Sequence, residues 1–159
     1  MAVGLRLVVE KCLSQAMIII DPFHVLCMLN DAVTEVVTAK QENLTASERK
    51  KLMKGGNRFL LLKRRFELTE VERDKLEKWY ESVPEFRLAY DTKERGYDIW
   101  KYALSSLEAK RRFKQWRDEI PKEVAPAFQK FLKTVERWRK YIFNFFECKV
   151  SNAYTESKN

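Results

Sequence analysis

Apolar positions along this chain follow two patterns, short unbroken runs near the start and helical stripes afterwards. The first run, Ala16-Met17-Ile18-Ile19-Ile20, leads straight into Asp21-Pro22. It is too short to span a membrane and too uniformly apolar for a half-exposed strand, so it predicts a buried parallel strand. Pro22 cannot continue a ladder but suits the first turn of a helix. Val25, Leu26, Leu29, Val33, Val36 and Val37 then recur at helical spacing, which predicts a helix to about Lys40. A second short run, Arg58-Phe59-Leu60-Leu61-Leu62-Lys63, predicts another buried strand. Strand, helical connection and strand make a parallel βαβ unit with a right-handed crossover. Ahead of it, Val3, Leu5, Leu7, Val8 and Leu13 predict a short helix over residues 2–13.

Helix signals dominate the rest. Thr45-x-x-Glu48 is a capping box opening a short basic helix that Gly55-Gly56 stops. Thr69-x-x-Glu72 opens a helix to about Ser82, and Pro84 starts the next, with Phe86, Tyr90, Tyr97, Trp100 and Leu104 on one side. Gly96 weakens that helix without breaking it. Ser105-x-x-Glu108 starts a third, carrying Phe113 and Trp116. A long helix over about Val124–Glu147 has the stripe Phe128, Phe131, Leu132, Val135, Trp138, Ile142, Phe145 and Phe146. Aromatics at this spacing read as core rather than as a base-stacking platform. The expected fold is mostly α with a small parallel β part, of α/β type. A βαβ unit (1–66) precedes a helical region (67–147) and a short tail (148–159). Two strands do not complete a covered sheet, so an open strand edge and self-association are expected.

Composition narrows the class. A chain of 159 residues, 45% hydrophobic with four Gly and four Pro, reads as one folded, helix-rich domain. No run is long enough for a membrane helix, and the start lacks the pattern of a signal peptide, so a cytoplasmic protein without a membrane partner is expected. Cys12, Cys27 and Cys148 are odd in number and widely spaced, which reads as reduced thiols. With one His and no paired Cys, a structural zinc site is not expected. Charge is lopsided. Residues 1–50 hold five Lys and Arg against six Asp and Glu, whereas residues 51–159 hold twenty-six against seventeen. That asymmetry favours a polyanionic partner, nucleic acid before membrane.

Candidate chemistry sits in three places. Asp21 lies where open α/β sheets place ligands, at the carboxyl end of a predicted strand, although capping the next helix explains it equally simply. Lys110, Arg111 and Arg112 with Lys114 and Arg117 form one basic cluster. Lys130, Lys133, Arg137 and Lys140 form another, opposite the apolar stripe of the long helix. Both are either solvated faces or phosphate-contacting surfaces.

The chain ends in Ser151-Asn152-Ala153-Tyr154-Thr155-Glu156-Ser157-Lys158-Asn159. Together with Asp21-Pro22-Phe23-His24-Val25, this resembles the DDE transposases of bacterial insertion sequences, specifically the ISL-three family. Those proteins have a ribonuclease-H-like catalytic domain. Their second acidic residue ends a strand in an Asp-x-Phe-His-Val motif. Their third lies in a Thr/Ser-Asn-x-x-x-Glu-Gly-x-Asn motif after a long helical insertion. Phe59-Leu60-Leu61-Leu62 resembles the strand between the motifs, and Val135-Glu136-Arg137-Trp138-Arg139 the aromatic-basic helix before the glutamate.

The resemblance implies that Asp21 and Glu156 are catalytic, metal-holding carboxylates. His24, Asn152 and Asn159 would support them, and two Mg²⁺ ions would stabilise the entering and departing oxygens of a phosphodiester. It also implies DNA as partner, through the terminal repeats of the element, within the bacterial cytoplasm near the nucleoid. Ser157 replaces the usual glycine, and the family's first catalytic aspartate has no counterpart, because Glu10 lies on a predicted helix rather than at a strand end. The expectation is therefore a truncated transposase: a partial ribonuclease-H-like fold with its helical insertion, inactive on its own, with enzyme status otherwise open. The alternative is a non-catalytic basic helical module that binds DNA or protein, joining either its own kind or an intact transposase.

Overall fold

A computed structural model of the chain describes residues 17–42, Thr45, Ser47 and residues 57–148. The helices predicted over residues 2–13 and after Thr45, and the tail beyond Cys148, lie outside them. Within the described part the chain is helical. α1 spans Pro22–Glu42, α2 Glu70–Ser82, α3 Pro84–Tyr102 and α4 Ser106–Asp118. α5 spans Ala125–Arg137, α6 Arg139–Phe143 and α7 Phe145–Cys148.

α1 is the central strut. Its buried stripe, Val25, Leu29, Ala32, Val33, Val36 and Val37, follows the spacing read from sequence and packs against both α3 and α5. α3 also packs against α2 and α4, and α4 closes on α6 and α7. Where α3, α4, α5 and the last two helices converge, Trp100, Phe113, Trp116, Phe131, Phe143 and Phe146 form a continuous aromatic cluster. Its ring centroids lie 5.5–6.4 Å apart, mostly tilted or edge-on. Each of these side chains is buried, so the aromatics are core as expected. Trp116 adds a polar anchor, its indole Nε1 donating to the Thr92 carbonyl at 2.9 Å.

The helix starts obey the local code. Thr69 Oγ1 accepts from the Glu72 amide, and Glu72 Oε2 accepts from the Thr69 amide at 3.0 Å, a complete capping box. Glu72 also pairs with Lys63 at 2.6 Å, which holds its carboxyl below the usual range. Ser105 accepts from the Glu108 amide, but Glu108 reaches one residue further back, to the amide of Leu104 at 2.9 Å. Thr69→Ala is expected to cost about 1 kcal/mol in chemical denaturation, the usual worth of such a cap.

Three expectations are corrected. There is no β-strand among the described residues, so the predicted βαβ unit is not seen there. Residues 17–20 carry no regular structure and pair with helical backbone instead of a ladder: Ile20 N donates to Tyr141 O at 3.1 Å. The second apolar run forms a 3-10 turn, Asn57–Leu61, in place of a strand. Its carbonyls explain the change. Lys93, fully buried on α3, donates through Nζ to Leu61 O and Lys63 O, both at 2.8 Å. A strand would aim those oxygens at a neighbouring strand, whereas here one ammonium collects them.

Around it, Arg64 Nε meets Glu94 at 2.9 Å, Arg64 Nη2 meets Asp98 at 3.0 Å, and Glu94 also accepts from the Arg65 amide. The single long helix expected over Val124–Glu147 is instead three pieces, interrupted at Trp138 and Asn144. The second break coincides with the docked arm. Tyr141 O is taken by Ile20 N, and the Asn144 side chain turns to donate to Ile18 O at 2.9 Å.

Candidate functional site

Asp21 stands at the head of α1, placed there by the arm before it and by Pro22 after it. Its Oδ1 accepts from the Phe23 amide at 2.8 Å, so the capping role is real. The same half-buried residue also borders a cleft of about 510 Å³, whose walls include Ile20, His24, Thr134, Trp138 and Ile142. His24 is exposed in the first helical turn, edge-on to Phe23 with ring centroids 6.0 Å apart. Cys27, one turn further, is a half-buried free thiol pushed up by burial and by Asp31.

Glu156, Asn152 and Asn159 lie outside the described residues. The helices ahead of them do not. The arm carrying Asp21 is clipped by Ile20 to Tyr141 and by Ile18 to Asn144, and α7 ends four residues after Asn144 at Cys148. The described fold thus ends on α7, directly after the residues that hold the arm of Asp21. Among the described residues no three His, Cys, Asp or Glu side chains gather as a cation would need. Asp21 is the one carboxylate among the cleft residues described. By themselves, these residues do not make a divalent-metal site.

The basic candidates divide by what they touch. Arg112 is committed to Glu108 one turn back, with Nε at 2.9 Å, and Arg117 pairs with Asp118 at 3.0 Å. Lys110 is half-buried, its ammonium 5.9 Å from the Phe143 ring centroid. Arg137 and Lys140 lie over Trp138 and Tyr141. Arg111, Lys114, Lys130 and Lys133 are exposed and, among the described residues, form no ion pair. Sequence reading missed Arg65, Arg73 and Arg87, which three separate elements bring to one cavity between α2 and α3. No periodicity marks a cluster assembled that way.

Compared with known families, the family model described as "Transposase", of the DDE ISL-three type, matches residues 1–159, the whole chain. The chain belongs to that transposase family. No curated protein matches it, and no solved structure does. None of the described helices is long and apolar enough to cross a membrane.

Proposed function

We propose that Asp21 and Glu156 are two of the three carboxylates of a DDE centre for cutting and joining DNA. In this reading the helical body over residues 67–147 is the insertion of a ribonuclease-H-like domain, and the acids hold Mg²⁺, a hard cation suited to carboxylate oxygen. The observation that supports it is the double clip of residues 18 and 20 to Asn144 and Tyr141. From Cys148 to Glu156 is eight residues, a reach of about 12 Å if helical and about 28 Å at most. A reach of that size is compatible with Glu156 meeting Asp21.

The test is a chain with Cys12, Cys27 and Cys148 replaced by Ser and Asp21→Cys with Glu156→Cys introduced. A short bifunctional thiol reagent should join the pair within one molecule. Failure to cross-link, with the fold intact by circular dichroism, overturns the pairing. Glu10 is the one acidic residue ahead of Asp21. We accordingly expect the 159-residue chain alone to leave supercoiled plasmid intact in Mg²⁺ or Mn²⁺, and nicking by the purified chain refutes that expectation.

A second reading, a basic helical surface that binds DNA without cutting it, draws on the exposed, uncommitted charges of α4 and α5. Arg111→Glu with Lys114→Glu, neighbours one turn apart, should weaken duplex binding and flatten its salt dependence. Unchanged affinity at every salt concentration counts against this surface.

A further inference from the structure

We propose that the cavity between α2 and α3 is a phosphate-binding pocket that grips one phosphodiester of bound DNA. This rests on the reading above that the protein binds DNA. The cavity is about 240 Å³, roomy for a phosphate group, and Arg65, Arg73 and Arg87 all border it. Two carboxylates, Glu77 and Asp91, share the lining. Arg87 pairs with Glu77, and Arg65 pairs with Asp91 at 2.5 Å. Arg73 carries no carboxylate partner among the described residues, so the cavity keeps one guanidinium uncommitted.

The second observation is independent of charge. Tyr80 and Tyr90 also line this cavity, each more than nine-tenths buried. Both hydroxyls are sealed from solvent and have no hydrogen-bond partner. A buried donor left unmade is costly, and two in one wall point to an acceptor that belongs there. The arginines explain how it gains access. The Arg87 guanidinium lies 4.7 Å from the Tyr80 ring centroid, and Arg65 lies 5.9 Å from that of Tyr90.

Both arginines are substantially exposed, and surface pairs of this kind are worth little. Swinging from carboxylate to phosphate costs them little and, in this proposal, opens the way to the tyrosine hydroxyls. A phosphate oxygen then accepts from tyrosine hydroxyl and guanidinium together. Arginine's planar fork suits that geometry better than lysine would.

The experiment measures binding of a 20-base-pair duplex of arbitrary sequence by fluorescence anisotropy across a salt series. Inorganic phosphate is tested separately by thermal shift against sodium chloride of matched ionic strength. Arg73→Ala should weaken duplex binding about tenfold, lower the salt slope by about one, and remove the stabilisation by phosphate. Tyr80→Phe and Tyr90→Phe discriminate further. Deleting an orphaned hydroxyl should leave the melting temperature unchanged or raised while duplex affinity falls severalfold.

If the wild-type chain binds duplex but these three variants bind equally well with an unchanged slope, the pocket is refuted and the DNA reading stands. If the wild-type chain binds no duplex at low salt, the DNA reading falls and takes this inference with it. Loss of affinity in the tyrosine variants accompanied by a lowered melting temperature also overturns the proposal, since the hydroxyls then serve the fold.

Discussion

Lys93→Met is expected to destabilise the protein by about 2–4 kcal/mol, the cost of stranding two acceptors that now share one ammonium. Methionine keeps most of the stem's volume, so the loss isolates the polar head. Leu61 O and Lys63 O each receive a bond from its Nζ at 2.8 Å. Glu94 loses a 3.3 Å contact but keeps Arg64, so no bare carboxylate is left behind. The 3-10 turn should loosen first, visible as faster amide exchange at residues 59–63.

A pH signature accompanies it. Burial lowers the Lys93 ammonium to about 8, with Glu94 opposing the shift. Between about 8 and the unfolded value of 10.5, the unfolded chain binds more protons, so stability from this group rises with pH. Burial pushes the Tyr80 and Tyr90 phenols up, so above pH 10 the unfolded chain releases protons that the folded one retains, and stability falls. Denaturant midpoints should therefore peak on the alkaline side for the wild type, and Lys93→Met should lose the rising limb while keeping the fall.

Gly96→Leu is expected to cost about 3 kcal/mol or more, against the helix propensity that leucine would otherwise add. A Cβ at this position would sit 2.9 Å from Leu29 Cδ1 and 3.3 Å from Trp116 Cζ2. Both neighbours are buried, so neither has open space to move into. The glycine is what lets α3 approach α1 and α4 closely. Gly96→Ala should be milder, its overpacking partly offset by about 1 kcal/mol of backbone preference. Combining Gly96→Ala with Leu29→Ala should cost less than the sum of the two, because the second change removes the clash made by the first.

The helices up to Asp118 are readable in this sequence because they carry start signals and stripes of matching period, whereas the breaks at Trp138 and Asn144 carry none. Thr69, Ser105 and Pro84 mark starts that the structure keeps, and the α1 stripe is buried as spaced. The short apolar runs mislead for one reason. A run of four or five residues fits a strand or a buried turn equally well, and the choice depends on distant partners. For Leu61 that partner is Lys93, 32 residues away. For Ile20 it is Tyr141. Lys93 itself was invisible as a buried residue, since lysine is rarely enclosed and nothing nearby in sequence announces its acceptors. At the candidate site, Asp21 is a candidate by its place after an apolar run and before a proline, although the element ahead of it is an arm rather than a strand. The basic faces are legible as charge, but only the fold separates Arg112, tied to Glu108, from Arg111, which is not.

The bond between Asn144 and Ile18 joins residues 126 positions apart. Closing so large a loop forfeits chain entropy that local turns do not, so this clasp should form after α1 has already met α3 and α5. An interaction made that late barely alters the speed of folding but sets how fast the native state comes undone. The arm bearing Asp21 is therefore expected to act as a latch, its loss speeding unfolding while leaving the folding rate nearly unchanged.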